Sequence, residues 1–201
     1  MRRLVDLLLA VPALIVLGPT IVALGLAVRL ESRGGALFRQ TRVGRDGVEF
    51  TMLKLRSMRA DRDESGTVMG GRVDSRVTSI GALLRQTHLD ELPQLVNVVR
   101  GEMTLIGPRP EVPDFVASYT DAQREVLRVR PGITGPGQVE YATRWEPLLD
   151  GADDANAVYV TQIMGPKLEL ELAYVRSRSL AADVQIIRET VEGLLGTLTR
   201  H

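Results

Sequence analysis

The chain has 201 residues, of which 44% are hydrophobic and 25% are charged, a composition that suits one globular domain plus a short additional segment. The formal net charge of zero excludes a global field that would recruit nucleic acid, and the aromatic content of 4% argues against stacking on strings of bases. Because the chain contains no cysteine, it can form neither a disulfide framework nor a thiolate metal site.

The first segment of the chain carries no charged side chain between residues 7 and 28. As a helix it would be roughly 33 Å long, close to the ~30 Å hydrocarbon core of a bilayer. One interpretation is therefore a helix that spans the membrane. Another is a signal peptide, since Arg2 and Arg3 precede the apolar run and Gly25-Leu26-Ala27 could be cleaved.

A third interpretation is a re-entrant helix that enters and leaves the membrane by the cytoplasmic leaflet. Arginines flank both ends of the run, whereas a spanning helix usually keeps its positive flank on the cytoplasmic side only. Gly18-Pro19 lies in the middle of the run, where proline removes a backbone hydrogen bond and bends the helix. Since proline is tolerated in spanning helices as well, these residues alone leave all three interpretations open.

After the apolar segment the pattern predicts short strands. Residues 32–35 are serine- and glycine-rich and predict a joint between this segment and the following domain. Residues 36–56 predict short strands around a turn at 44–47. Residues 60–77 are polar and contain glycine, which is typical of a loop.

Helical patterns occupy much of the remaining chain, interrupted by a proline–glycine loop at residues 131–137. Gly101 is expected to end the second of these helices, and the last one carries an apolar face. The predicted helices are residues 79–86, 91–99, 119–129, 168–176 and 182–198. The apolar face of the last helix consists of Val184, Ile187, Val191, Leu194 and Leu195.

The sharpest local feature is Leu89-Asp90-Glu91-Leu92-Pro93. Asp90 lies where a helix N-cap is expected, followed by an acid and a proline in the first turn, so a well-capped helix explains the pentapeptide. The same geometry also has chemical uses. A helix N-terminus attracts phosphate through its free N–H groups, and adjacent carboxylates offer hard oxygen ligands to a magnesium ion carried by a diphosphate.

Other clusters allow a functional or a structural interpretation. In Gly107-Pro108-Arg109-Pro110 two prolines fix the backbone around one arginine, which predicts either a preorganised guanidinium or a rigid turn with a solvated arginine. Lys54-Leu55-Arg56 places two cations on one face of a predicted strand, and Arg85 precedes Asp90 by five residues. A solvated charged face is the ordinary explanation for either.

The glycine-rich stretch 130–137 also allows two interpretations. It contains three glycines and two prolines, a composition that lets the backbone approach a ligand closely or that forms a structural turn.

Three motifs together resemble a known family. Asp90-Glu91-Leu92-Pro93-Gln94-Leu95, Gly107-Pro108-Arg109-Pro110 and Arg130-Pro131-Gly132-Ile133-Thr134-Gly135 occur in this order behind a kinked apolar segment. They resemble the monotopic phosphoglycosyl transferases, the bacterial initial sugar transferases that start glycoconjugate assembly. The resemblance covers nearly the whole chain and is weakest at residues 140–166.

The resemblance implies an activity and a set of site residues. The expected reaction transfers a sugar-1-phosphate from a UDP-sugar to polyprenol (undecaprenyl) phosphate and releases UMP, as the first step of exopolysaccharide or glycoconjugate assembly. Asp90 is expected to be the nucleophile that forms an aspartyl-phosphosugar intermediate, and Glu91, beside Asp90, is expected to hold Mg²⁺. The candidates for substrate binding are Lys54, Arg85, Arg109 and Arg130.

The resemblance also implies an architecture and a location. The family's membrane helix breaks at a small residue followed by proline, as in Gly18-Pro19, which favours the re-entrant interpretation. We expect an α+β, mostly helical chain, with a kinked re-entrant helix over residues 1–31 and a compact cytoplasmic domain over 32–201. That domain would contain a small strand element and interfacial amphipathic helices, at the cytoplasmic face of the bacterial inner membrane.

A non-enzymatic alternative is a membrane-anchored scaffold of a polysaccharide assembly complex, in which Asp90 is only a helix cap. The amphipathic final helix leaves a homodimer open. His88 and His201 are interpreted as bystanders because no second histidine or cysteine completes a ligand set.

Some positions depart from the family pattern. Pro136 stands where an aromatic residue often follows the glycine loop, and Glu171 replaces a common aspartate. Residues 141–167, which include Trp145 and Tyr159, are longer than in the shortest members and are expected to contact the sugar or the nucleotide. These departures bear on the identity of the sugar, not on the reaction class.

Overall fold

The computed structural model describes residues 2–59, 76–150 and 152–198. Over these ranges the chain is mostly helical and carries two sheets of two strands each, which confirms the mostly helical α+β class. The loop predicted at residues 60–77 lies outside the described residues except for its last two positions. Of these, Val77 forms an isolated antiparallel bridge with Met58.

The apolar segment forms one long helix, α1 (Arg2–Glu31), which contains Pro12 and Pro19. Its most apolar window has a mean hydropathy of 2.5 and only 6% of that window is buried, so by length and composition it could cross a membrane. The helix ends at Glu31, and the division of the chain into a membrane segment and a following domain stays a prediction.

Helix α1 contacts the rest of the chain at both of its ends. Near its start, the Arg3 guanidinium donates to the carbonyl oxygens of Val98 and Val99. At its end, the Glu31 carboxylate accepts a hydrogen bond from the backbone N–H of Ile80 at 3.0 Å. Between these points Ala10 is completely buried in a core cluster. The helix therefore lies along the surface of the domain over its whole length.

The predicted strands are confirmed as an antiparallel hairpin. Strand β1 (Leu37–Val43) pairs with β2 (Glu49–Leu55) in a register that places Leu37 opposite Leu55. A 3₁₀ turn at Arg45–Gly47 joins them, and Asp46 there has a φ of 60°. Phe50 and Met52 of β2 are buried against α1 and the helix that follows the Asp-Glu pair, so one face of the hairpin is covered.

Two helices follow the hairpin, and one of them begins later than predicted. Helix α2 (Ser79–Gln86) is capped by Thr78 and confirms the predicted element. Helix α3 (Gln94–Arg100) ends at Gly101, which has a φ of 86° as a left-handed C-cap requires.

The prediction that Asp90 caps this helix is wrong. Residues Leu89–Glu91 form a 3₁₀ turn whose N-cap is His88, and α3 starts only after Pro93. The backbone bonds here run over three residues, from Glu91 N–H to His88 O and from Leu92 N–H to Leu89 O. Pro93 has no N–H to continue that series, which separates the turn from the helix.

A second sheet was not predicted from the sequence. Strand β3 (Thr104–Ile106) pairs in parallel with β4 (Gly132–Thr134). Strand β4 lies inside the stretch predicted as a proline–glycine loop. The strands approach so closely that a Cβ on Gly132 would lie 2.1 Å from the Gly107 backbone nitrogen. The glycine therefore serves backbone–backbone packing, which supports the structural interpretation of this stretch.

Short helices and turns complete the chain. The segment predicted as a helix at 119–129 is a 3₁₀ turn at Gln123–Arg128. Two π-helical turns, Tyr141–Trp145 and Tyr159–Ile163, interrupt the later helical stretches. The remaining helices are α4 (Pro113–Ala117), α5 (Pro136–Glu140), α6 (Glu146–Leu149), α7 (Ala155–Val158), α8 (Met164–Ser177) and α9 (Leu180–Leu198).

Three hydrophobic clusters hold these elements together. The largest lies under α8 and includes Phe115, Trp145 and Tyr159. A second joins α1, β2 and α3, and a third joins the end of α1 to α2. Leu89 packs against the third cluster and Leu95 belongs to the second, so the Asp-Glu pair is positioned between two cores.

Candidate active site

The 3₁₀ turn Leu89–Glu91 carries both predicted catalytic acids. Asp90 is 7% exposed. The turn follows His88, an exposed residue in the left-handed conformation with a φ of 54°. Because Leu89 on one side and Leu95 on the other are held in different clusters, this short turn has little freedom to move. The two neighbouring carboxylates are therefore held in one place.

Two cations converge on one oxygen of Glu91. Lys54 Nζ lies 2.6 Å from Glu91 Oε1, and Arg109 Nη2 lies 2.8 Å from the same oxygen. Lys54 Nζ also lies 3.8 Å from Asp90 Oδ2, a distance of ion pairing without a hydrogen bond. The structure thus brings together four of the predicted site residues from β2, the 3₁₀ turn and the loop after β3.

The two carboxylates have opposite pKa shifts. Burial raises the pKa of Asp90, the nearby Glu91 charge adds to this, and Lys54 opposes it. Burial would also raise the pKa of Glu91, but the Arg109 and Lys54 charges outweigh it and hold that pKa well below its usual range. Oε1 of Glu91 is therefore paired with two cations, whereas Asp90 has the weaker pairing and the carboxylate more available for chemistry.

Asn97 fixes the distance between Lys54 and the acids. Its side chain is completely buried, and its amide nitrogen donates to Thr51 O at 2.8 Å while its amide oxygen accepts from Leu53 N–H at 3.1 Å. These bonds tie β2 to α3, and Lys54 is the next residue along β2. The sequence offered no signal for this role, because an asparagine inside a helix does not reveal its partner.

The loop that carries Arg109 is fixed by a buried acid. Glu171 is 1% exposed, and its Oε1 accepts a hydrogen bond from the Arg109 backbone N–H at 3.1 Å. On the other side of the loop, Arg42 Nη1 donates to Pro110 O at 3.0 Å. The arginine thus projects from a backbone that is held on both sides, as the two flanking prolines predicted.

A buried ionic network continues from this loop. Glu111 is 3% exposed, and its carboxylate accepts hydrogen bonds from Lys167 and from the Tyr159 hydroxyl. Burial would raise the pKa of Glu111, but the Lys167 and Arg42 charges outweigh it and lower the value. Sequence reasoning missed Glu111, although an acid directly after Pro-Arg-Pro and an isolated lysine in an arginine-rich chain were signals of a pair.

The segment 141–167 contributes to the core. Trp145 and Tyr159 are 2% and 1% exposed, and Tyr159 stacks on Phe115 with ring centroids 5.0 Å apart. For these two aromatic residues the expected contact with sugar or nucleotide is wrong, because their rings are enclosed by other side chains of the largest cluster.

Two basic candidates remain, and one of them, Arg130, lies apart from the four converging residues. Arg85 is half-buried in the last turn of α2. Arg130 Nε donates to Gly101 O at 2.8 Å, at the far end of α3, which separates it from the acids by roughly 10 Å of helix. The substrate-binding roles of Arg85 and Arg130 stay predictions.

The two acids fit a magnesium ion that arrives already bound to a diphosphate. Among residues 2–59, 76–150 and 152–198, no group of three or more histidines, cysteines or acids could hold a metal by itself. A magnesium ion that arrives with a diphosphate needs only one or two protein carboxylates, since phosphate oxygens and waters complete its octahedron. Asp90 and Glu91 can supply these carboxylates.

Comparisons with known proteins agree on one family. A family model described as bacterial sugar transferase matches residues 1–197. The UDP-glucose:undecaprenyl-phosphate glucose-1-phosphate transferase of Caulobacter vibrioides is 35% identical over 207 residues, which cover 98% of this chain and 70% of the relative.

Two further relatives are longer than the chain. The enzyme of the same name from Xanthomonas campestris pv. campestris is 36% identical over 100% of this chain and 40% of its own length. The UDP-N-acetylgalactosamine-undecaprenyl-phosphate N-acetylgalactosaminephosphotransferase of Aeromonas hydrophila is 36% identical over 96% of this chain and 43% of its own length. The chain therefore spans less than half the length of these two relatives.

Proposed function

The chain belongs to the bacterial sugar transferase family, and on that premise we propose that it transfers a sugar-1-phosphate from a UDP-sugar to undecaprenyl phosphate. Relatives that use UDP-glucose or UDP-N-acetylgalactosamine align over nearly the whole chain, which supports this class of donor and acceptor. The products are UMP and a polyprenyl diphosphate sugar.

One observation carries the proposal. Glu91 binds Lys54 and Arg109 through a single oxygen, and Asp90 lies beside them, nearly buried. Within the described parts of the chain, no cation hydrogen-bonds to Asp90. A lysine ammonium has three donors and an arginine guanidinium five, so both cations retain donors for phosphate oxygens. The arrangement therefore supplies a carboxylate nucleophile next to positive charge, which is what phosphoryl transfer requires.

In the first proposed step, an Asp90 oxygen attacks the phosphorus that bears the sugar. The bond from this phosphorus to the bridging oxygen of the diphosphate breaks, and UMP leaves with the electron pair. Lys54 and Arg109 neutralise charge on the phosphate oxygens. The resulting acyl phosphate is an anhydride, so the group-transfer potential of the donor is retained.

In the second proposed step, an oxygen of undecaprenyl phosphate attacks the same phosphorus. The bond between phosphorus and Asp90 breaks, and the carboxylate is regenerated. Covalent catalysis of this kind lets donor and acceptor use one site in turn. A magnesium ion held by Asp90 and Glu91 would neutralise charge on the donor diphosphate.

The contacts of α1 support a re-entrant membrane helix. A straight helix over residues 2–31 would be roughly 45 Å long. Its start binds the carbonyl oxygens of Val98 and Val99, and its end at Glu31 binds Ile80 of the same domain. A helix that crossed the bilayer would carry its ends to opposite sides, where one water-exposed domain could not contact both. These contacts favour α1 lying in one leaflet. Arginines at both ends of the apolar run favour the cytoplasmic side for both ends, and so for the domain.

The test of the function is UMP release from a panel of UDP-sugars with undecaprenyl phosphate in detergent or nanodiscs. We expect UMP formation and a sugar-bearing lipid product with at least one donor. A protein that acts only as a scaffold would release no UMP with any donor while remaining folded.

A further inference from the structure

An apolar groove of about 680 Å³ lies beside the acids, between α1, α3, the β3–β4 pair and α9. A volume of this size is in the range of sites that hold small ligands, about 300–1,000 Å³. We call it the α1–α9 groove. Its apolar lining consists of Val5, Leu9, Ala13, Leu17, Leu92, Leu95, Leu105, Ile106, Ile133, Leu180, Val184 and Ile187.

The apolar side chains on the α9 wall are unusually exposed. Leu180, Val184 and Ile187 are 51%, 66% and 45% exposed, and Leu9 on the facing α1 wall is 54% exposed. A contiguous apolar surface of this kind is typical of a binding site, whereas single exposed apolar residues need no explanation. The groove therefore has two apolar walls that nothing else in the described chain covers.

Away from His88 and Glu91, the polar side chains that line the groove have partners within the protein. Asp6 accepts hydrogen bonds from the Thr104 hydroxyl at 2.8 Å and from the Leu105 N–H at 3.1 Å, and Thr134 Oγ1 lies 2.8 Å from Thr190 Oγ1. The Arg2 guanidinium pairs with Asp183, which also accepts from the Tyr174 hydroxyl at 2.6 Å. With these groups satisfied internally, the groove favours an apolar occupant over a polar one.

One end of the groove is at the reacting groups. Glu91 and Leu92 line it there. Leu17 lies at the same end because the turns of α1 that follow it pack in the third cluster with Leu89. From this point the groove follows α1 towards Asp6 and Arg2. A ligand in it would place one end next to Asp90 and its remaining length against apolar side chains.

We propose that the α1–α9 groove binds the polyprenyl chain of the acceptor and so directs the acceptor phosphate to Asp90. This rests on the proposed function. The acceptor matches the groove in two ways. Its phosphate must reach the acids, and its long polyprenyl chain is purely apolar. The nucleotide sugar is polar throughout and fits neither wall. One wall belongs to α1, the membrane helix, so the groove offers the chain a path from the bilayer to the acids.

The test is a pair of matched substitutions in α1. Ala13 lines the groove, whereas Ala23 of the same helix is exposed and lies outside the groove lining. Ala13→Phe fills the groove midway. We expect it to raise the KM for undecaprenyl phosphate about tenfold or more, because a few chain methylenes lose their burial. Ala23→Phe is expected to leave this KM unchanged.

The donor half-reaction separates this proposal from the proposed function. UMP release from UDP-sugar without acceptor is expected to be equal in Ala13→Phe, Ala23→Phe and the unsubstituted protein, which also shows that each is folded. If Ala13→Phe leaves both this release and the acceptor KM unchanged, the groove assignment is wrong. If no protein releases UMP, the proposed function itself fails.

A photoreactive acceptor gives a second, independent readout. Undecaprenyl phosphate analogues with a diazirine in the chain are expected to crosslink to α1 and α9 at residues 5–17 and 180–187. Unlabelled undecaprenyl phosphate should compete, and phosphatidylglycerol at the same concentration should not. Crosslinks confined to other segments, or equal competition by the phospholipid, would overturn the assignment.

Discussion

Lys54 Nζ lies 2.6 Å from Glu91 Oε1, at hydrogen-bonding distance, although it is 3.8 Å from the neighbouring Asp90. Lys54 thus hydrogen-bonds to Glu91 together with Arg109, and it acts on Asp90 only through its charge. Asp90 and Glu91 are buried to a similar extent but have opposite pKa shifts. Two cations hydrogen-bond to Glu91, and among the described residues none hydrogen-bonds to Asp90. This difference supports the proposed role of Asp90 as the nucleophile and that of Glu91 as the anchor of positive charge.

Asp90→Asn is the most direct test of that assignment. Asparagine keeps the size and most hydrogen-bonding capacity of the side chain but lacks a nucleophilic carboxylate oxygen. We expect UMP release to fall by roughly a thousandfold or more, as when a covalent nucleophile is removed. Intact mass measurement after incubation with donor alone should show a sugar-phosphate adduct on the unsubstituted protein and none on the variant.

A control for this variant is Asp114→Asn, which changes an exposed acid in the first turn of α4. It should retain both the adduct and the rate. UMP formation at the full rate by Asp90→Asn would show that the acceptor attacks the donor directly, without a covalent enzyme intermediate.

The charge on Lys54 sets the acid limb of the pH profile. Asp90 must be ionised to attack, and burial raises its pKa while Lys54 lowers it. Activity should therefore be lost as the pH falls through the pKa of Asp90. Lys54→Met removes the opposing charge, so we expect the acid limb of kcat/KM to move up by about one pH unit. Lys54→Arg keeps the charge and should leave the limb close to its original position.

Glu171 is expected to act through Arg109. Its carboxylate holds the Arg109 backbone N–H at 3.1 Å, so Glu171→Asp, which is one methylene shorter, should release the loop. We expect kcat/KM for the donor to fall by about tenfold, the scale of one lost hydrogen bond. Glu171→Gln retains an accepting oxygen and should lose less.

A double-mutant cycle distinguishes this positioning role from a general loss of stability. In an Arg109→Ala background there is no guanidinium left to position, so Glu171→Asp should cost little further activity. Additive losses in the double variant would mean that Glu171 does not act through Arg109.

The buried pair Glu111–Lys167 should stabilise the fold over a defined pH range. Both residues are 3% exposed, and Lys167→Met leaves the buried Glu111 carboxylate with Arg42, 3.7 Å away, as its remaining cation. We therefore expect the free energy of unfolding to fall by about 3 kcal/mol, the lower end of the range for a broken buried pair. The pKa of Glu111 is lowered, so its contribution is lost as the pH falls below the ordinary range of glutamate. The pKa of Lys167 is raised, so its contribution is present below the ordinary lysine pKa and is lost above it.

Urea denaturation against pH would measure this contribution. The double variant Glu111→Gln/Lys167→Met should be more stable than Lys167→Met alone, since it removes the buried carboxylate that has lost its lysine. Equal stability of the single variant and the unsubstituted protein at neutral pH would contradict the pairing.

Local patterns predicted the elements whose signals lie within a few residues. The hairpin around residues 44–47, helix α2 and the glycine end of α3 all depend on nearby turn and capping residues. The parallel pair β3–β4 was missed because each strand is three residues long and its partner lies far along the chain.

In the candidate site, too, the sequence identified residues that belong to short motifs and missed roles that depend on distant contacts. Motif resemblance identified Asp90, Glu91, Lys54 and Arg109, which the structure brings together. It could not identify the roles of Asn97 and Glu171, because these arise from tertiary contacts with backbone groups more than forty residues away. Groups that position a site through backbone contacts leave no short-range pattern.

The topology of α1 can be tested with single cysteines, because the chain has none of its own. Leu4 and Leu30 lie near the two ends of α1 and are 62% and 89% exposed. We expect Leu4→Cys and Leu30→Cys both to react with a membrane-impermeant maleimide in inside-out vesicles and neither to react in intact spheroplasts. Asp114→Cys on the domain provides the cytoplasmic reference. Since a spanning helix must place its ends in different compartments, labelling of one cysteine from each side would exclude the re-entrant arrangement.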